Sequence, residues 1–116
     1  MSRKLTTEEI NVVNETALAA DKAGVQTSGK QLDIIDYYVN WSNGVANDFV
    51  LKIQNSNDGI TWDDYYQTNP ITMNAASGSH FVRVSYPNRK YIRPYIVRNA
   101  GQIDVNIKVI GTTVGA

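Results

Sequence analysis

Along most of its length the chain alternates apolar and polar residues with a period of two. From Leu32 to Trp41, Ile35, Tyr37, Val39 and Trp41 alternate with Ile34, Asp36, Tyr38 and Asn40, which is the pattern of a strand with one buried face. Asn43-Gly44 reads as its end. Phe49, Leu51 and Ile53 open a second run, Ser56-Asn57-Asp58-Gly59 turns the chain, and Ile60, Trp62 and Asp64 resume the alternation. Asp-Gly between two such runs is a strong local hairpin signal, because both residues tolerate the positive φ that tight hairpin turns require.

The pattern continues to the C-terminus. Ile71 and Met73 mark a short strand closed by Ala75-Ala76-Ser77-Gly78; His80, Val82, Val84 and Tyr86 form the next alternation, and Pro87-Asn88 turns it. Tyr91 to Val97 follows with Pro94 inside it, which predicts an edge strand or a bulge, because proline cannot donate to the ladder. Ala100-Gly101 reads as another turn, and the last strand sets Ile103, Val105, Ile107 and Val109 against Asp104, Asn106 and Lys108. About seven short strands with no helical period between them predict an all-β fold, an antiparallel β-sandwich or small jelly roll. Two stacked sheets would hide the single apolar face of each strand.

Residues 1–24 differ in character, with Leu5, Ile10, Val12, Val13 and Leu18 scattered among Thr, Glu, Asn and Ala. Thr6-Thr7-Glu8-Glu9 has the flavour of a helix start, but Val12-Val13-Asn14 favours an extended segment equally well. The expected organisation is an N-terminal extended arm over residues 1–24 and one sandwich domain over residues 25–116.

Composition narrows the function classes. The 116 residues suit one domain, and a chain of this length buries enough surface to fold without a metal or disulfides. Cysteine is absent, which excludes thiolate zinc sites, disulfide scaffolds and thiol catalysis. Met1-Ser2-Arg3-Lys4 runs into polar Thr6-Thr7-Glu8-Glu9, so no secretory signal is expected, and no apolar stretch reaches membrane-spanning length. Net charge is zero, yet residues 1–80 hold five basic and ten acidic groups against six and one in residues 81–116. The expected account is internal pairing of Arg83, Arg89, Arg93 and Arg98 with Asp33, Asp36, Asp63 and Asp64. A bipolar surface favouring contact between copies is the alternative. Without a Lys/Arg-rich tract, neither nucleic acid nor membrane is an expected partner.

Candidate chemistry is sparse. His80 is the single histidine; with no cysteine and no serine in a nucleophile elbow, it reads as a strand residue. Asp63 and Asp64 are adjacent and therefore point to opposite faces of a strand, which denies them a shared acid–base role. Asn55 to Gly59 is oxygen-rich but lacks the alternating carboxylates and distal Glu of a calcium loop, so a plain turn is the simpler reading. No phosphate-binding loop is present. The expectation is a non-enzymatic protein with no catalytic, cofactor-binding or metal-ligating residues and no cofactor. Seven tyrosines and two tryptophans remain. Tyr37-Tyr38 and Tyr65-Tyr66 should each send one ring into the core and one outward, where an exposed ring would serve a subunit contact or a sugar platform.

The stretch from Phe49 through Ser56-Asn57-Asp58-Gly59 to Trp62, followed by Tyr91-Ile92-Arg93-Pro94-Tyr95-Ile96 and the Ile103 to Ile110 strand, resembles β-sandwich proteins of tailed phages and related viruses. Discoidin-like and other carbohydrate-binding sandwiches share the hairpin and the Tyr-Ile-Arg strand. The resemblance covers about residues 30–112. It implies an accessory protein of a bacteriophage virion, foremost a capsid decoration or cement protein that binds and stabilises the particle in many copies. A carbohydrate-binding or host-attachment module, including a tail or fibre accessory, is the alternative. The implied partners are the major capsid protein or other virion proteins, with a homo-oligomer, foremost a trimer, assembled in the host cytoplasm and located in the virion. The resemblance carries over no binding residue.

Overall fold

The computed structural model describes residues 3–6, 9–29, 32–65 and 67–115. The described residues form strands and no helix: β1 (Arg3–Thr6), β2 (Ile10–Leu18), β3 (Lys22–Ala23), β4 (Thr27–Ser28), β5 (Ile34–Ser56), β6 (Asp63–Asp64), β7 (Ile71–Met73), β8 (Gly78–Ser85) and β9 (Tyr91–Gly115). All pairings are antiparallel. β5 and β9 run against each other from Ile34↔Thr112 to Ser56↔Tyr91. The far side of β9 carries β1, β2, β3 and β4 in turn, and the far side of β5 carries β8, β7 and β6.

A straight strand of the length of β9 would run about 80 Å at ~3.3 Å per residue, whereas the longest dimension of the molecule is 51 Å. The ribbon must therefore bend, and it does so where the β5–β9 register shifts between Ser42 and Phe49. Asn43 (φ 52°), Ala46 (φ 47°) and Gly101 (φ 72°) adopt the left-handed conformation there. Neither Asn43-Gly44 nor Ala100-Gly101 is the chain reversal that the sequence predicts. Left-handed residues can equally make a bulge that kinks a strand and leaves its pairing intact on both sides.

The bend divides the sheet into two halves that share one core. Ile35, Tyr37, Val39, Val82, Val84, Ile103, Val105, Ile107 and Val109 come from one half, and Phe49, Leu51, Ile53, Met73, Ile92 and Ile96 from the other; all belong to a single buried cluster. The halves meet directly. Tyr37 lies beside Thr27, which pairs with Ile92 across the bend, and the Val25 N–H donates to the Val12 carbonyl at 3.0 Å. This is the sandwich principle realised by two long strands that cross from one layer to the other.

The N-terminal stretch is extended. The expected helix start at Thr6-Thr7-Glu8-Glu9 falls partly outside the described residues, since Thr7 and Glu8 are not among them. β2 lines β9, and Val12, Val13 and Leu18 enter the core, so this segment builds an edge of the sandwich itself and residues 9–23 share the core of the expected domain.

Pro94 lies neither in an edge strand nor at a bulge: it is fully buried opposite Ile53, with β3 beyond it. Its carbonyl accepts the Gly24 N–H at 2.8 Å, so its nitrogen also faces that side, where the edge segment breaks between Ala23 and Thr27. The missing donor thus removes no bond between β5 and β9, which is how a central strand accommodates proline.

The charge asymmetry is partly resolved by pairing. Arg83 grips Asp36 with two bonds of 2.8 and 3.1 Å, and Arg89 reaches Asp63 at 3.3 Å. Two members of the expected set take other partners. Asp64 meets Lys52 at 3.2 Å, and Arg93 is taken up by Gln54, Trp62 and Tyr95.

Candidate functional site

The alternation that buries one face of the first half exposes the other, and strand register assembles that outer face into rows. Ser79, Asn40, Asn106 and Asn14 lie side by side on β8, β5, β9 and β2. The adjacent row runs Phe81, Tyr38, Lys108 and Asn11. Neighbouring strands stand about 4.8 Å apart, so each row spans the sheet in even steps.

Around the first row the sheet forms an open groove of about 490 Å³, lined among others by Asn14, Asn40, Ser42, Ser79, Asp104 and Asn106. An adjoining open depression of about 540 Å³ shares Asn40 and Ser79 and reaches Tyr38 and Phe81. Those two rings form an aromatic shelf, with centroids 5.2 Å apart and planes at 49°. Both are exposed, 39% and 46% respectively. The Arg83 guanidinium stands 5.6 Å from the Phe81 ring while Asp36 holds its far side. That pairing raises the Arg83 pKa above its ordinary value, chiefly through the hydrogen bonds to Asp36.

One end of the groove is fixed by Asp104. Its Oδ1 accepts the Ala17 N–H and its Oδ2 accepts from Asn43 Nδ2, both at 2.7 Å. These bonds, the Asn43 bond foremost, hold the carboxyl below its usual range. Ala17 and Asn43 are both left-handed, so the carboxylate on β9 clamps a bulge on each neighbouring strand. On the other side of β5, Asn47 Nδ2 donates to the carbonyls of Met73 and Ala75, and Trp41 Nε1 donates to Ala75.

The residues singled out from sequence are dispersed. His80 is exposed on β8 opposite Val39, and its imidazole makes no hydrogen bond among the described residues. Asp63 and Asp64 take separate cations on different strands. Asp58 serves its own turn: its Oδ1 accepts the N–H groups of Ile60 and Thr61 and the Ser56 hydroxyl, which lowers its pKa to about 2. Tyr37 is buried and Tyr38 exposed, as the alternation predicts. Tyr65 is buried; its neighbour Tyr66 lies outside the described residues, so the expected division of that pair is not described. Sequence reasoning passed over the Asn40, Ser79 and Asn106 row and the Phe81 ring. Their signal was present as the polar and aromatic positions opposite each buried one, but only register shows that they adjoin.

The motif pair that carries the viral resemblance also meets in space. The Arg93 guanidinium sits 4.0 Å from the Trp62 ring and 5.3 Å from the Tyr95 ring, and its Nε donates to Gln54 at 2.9 Å. This cluster closes the outer face of the second half and joins the Trp hairpin to the Tyr-Ile-Arg strand.

No protein-family model and no curated protein matches the chain. Among solved structures it is similar to the crystal structure of the SPBc2 prophage-derived protein YomS, with a TM-score of 0.52 and 11% identity over 97% of this chain and 96% of that one. At this identity the likeness is one of fold, and it extends over essentially the whole of both chains.

Proposed function

We propose that the chain is a non-enzymatic structural protein of a bacteriophage particle, and within that class a capsid decoration protein that binds the assembled head in many copies. The observation that carries the reading is the whole-length similarity of fold to a prophage-derived protein, which agrees with the viral resemblance of the hairpin and Tyr-Ile-Arg motifs. The disposition of the polar groups supports it. Asp36, Asp58 and Asp104 are each spent on holding a strand, a turn or a bulge. A rigid body of this kind acts by presenting surface. Its partners are the major capsid protein or other virion proteins, and its own copies as a homo-oligomer, foremost a trimer. Repetition of a modest interface on a symmetric particle turns weak contacts into stable attachment.

Mass spectrometry of purified virions and cosedimentation of the chain with heads lacking it test the proposal. Saturable binding at a fixed ratio to the capsid protein is expected. Absence from virions together with failure to sediment with heads would overturn it.

A further inference from the structure

We infer that the groove on the outer face of the first half is a binding site for a neutral oligosaccharide, with Asn14, Asn40, Ser79 and Asn106 as its hydrogen-bonding floor and Tyr38 and Phe81 as its stacking platform. The amides of Asn40 and Asn14 and the hydroxyl of Ser79 make no hydrogen bond within the described residues, and they line one cross-strand row with Asn106. Asn106 Nδ2 donates to Asn11 Oδ1 at 3.0 Å and to the Val13 carbonyl at 3.4 Å, so this residue offers the groove its Oδ1 as an acceptor. An amide offers a donor and an acceptor from one planar group, which suits two neighbouring hydroxyls of a sugar ring. The row repeats at about 4.8 Å, close to the length of one pyranose unit. At its edge the exposed Tyr38 and Phe81 rings, inclined at 49° to each other, offer apolar ring faces to the C–H side of a sugar, and the Tyr38 hydroxyl adds a polar tip.

Charge sets the ligand class. The two carboxylates at the groove are engaged within the protein, Glu15 with Lys22 at 3.0 Å and Asp104 with Asn43 and Ala17. Around the Asn14, Asn40 and Ser79 floor, no carboxylate or cation of the lining is left without a partner among the described residues. A protein partner fits less well, because covering this floor would strip water from a row of amides with no matching array opposite, and each unmet polar group costs about 1–3 kcal/mol. A sugar carries a hydroxyl at nearly every carbon and can meet them.

The inference stands apart from the capsid proposal, and the experiment separates the two. The full chain is titrated with maltohexaose, cellohexaose and chitohexaose, followed by amide chemical shifts, alongside Phe81→Ala and Asn40→Ala. Both residues are exposed, so both variants should keep the wild-type melting temperature. Shifts confined to Asn14, Asn40, Ser79, Phe81 and Asn106 are expected with at least one hexasaccharide, weakened about tenfold by either substitution, which corresponds to ~1.4 kcal/mol. Binding to none of the three, binding indifferent to both substitutions, or stronger binding of a sulfated hexasaccharide would overturn it. Loss of head binding in Phe81→Ala without any sugar response would assign the face to a protein partner instead.

Discussion

Asp104 on β9 and Asn43 on β5 are joined by a 2.7 Å hydrogen bond at the level where both long strands bend. The same carboxylate holds the Ala17 N–H on the opposite side, so one side chain ties together three strands at their bulges. Asp104→Ala is expected to lower the melting temperature more than Asn43→Ala, and the two losses to be non-additive. The sign with pH follows from the depressed pKa. The clamp is at full strength above the ordinary carboxylate range near 4 and is lost as pH falls through the lower folded value. Thermal unfolding at neutral and acid pH checks this: the gap between wild type and Asp104→Ala should close on acidification.

Gly101 lies at the same bend with φ 72°, and a Cβ added there would collide with the carbonyl oxygens of Val45 and Ala46. Gly101→Ala combines a left-handed penalty with displacement of paired backbone, and a cost of about 2–4 kcal/mol is expected. Denaturant unfolding measures it. A change within a few tenths of a kcal/mol would mean that the strands bend by another means.

Where alternation is strict, the chain announces its own fold: Ile35, Tyr37, Val39, Val105, Ile107 and Val109 are buried where the period of two places them. Continuity was not legible. Asn43-Gly44 and Ala100-Gly101 carry turn chemistry, and whether a left-handed residue reverses a strand or kinks it depends on the partner strand bending at the same level. The groove was hidden for a related reason. Asn40, Ser79 and Asn106 are scattered along the sequence, and only the pairing of β5 with β8 and β9 makes them neighbours.

Asp58 makes the turn after β5 sensitive to acid. Its carboxyl titrates near 2, chiefly because the N–H groups of Ile60 and then Thr61 donate to it. The folded pKa is depressed, so the contribution is complete above about 4 and declines as pH falls toward 2. Carboxyl NMR should give a midpoint near 2 for Asp58. Asp58→Ala should increase amide exchange at Ile60 and Thr61 at neutral pH.

Tyr37 carries its hydroxyl into the core, where the oxygen is buried beside Thr27 without a hydrogen bond of good geometry. Burial pushes the phenol well above its ordinary pKa. Removing an unsatisfied buried hydroxyl while keeping the ring should cost nothing or stabilise by up to about 1 kcal/mol, so Tyr37→Phe is expected to melt at or above the wild-type temperature. A loss beyond about 1 kcal/mol would show that the Thr27 contact is a working hydrogen bond.

Trp62 and Arg93 link the hairpin to the strand that follows it much later in sequence, with the guanidinium 4.0 Å from the indole ring. Arg93 is partly shielded from water, which lowers its pKa, and the guanidinium stays charged. A cation–π contact is worth about 0.5–1 kcal/mol when exposed and ~2 when desolvated, and this one lies between those limits. Trp62→Ala should therefore cost about 1–2 kcal/mol, and Arg93→Lys less than Arg93→Ala, because lysine keeps the charge but lacks the planar face and the fork that reaches Gln54. A double-mutant cycle on Trp62 and Arg93 isolates the contact, with a coupling energy of about 0.5–2 kcal/mol expected. A coupling near zero would mean that Trp62 acts only by covering the sheet, and the motif pair would then mark a shared hydrophobic surface instead of a specific stack.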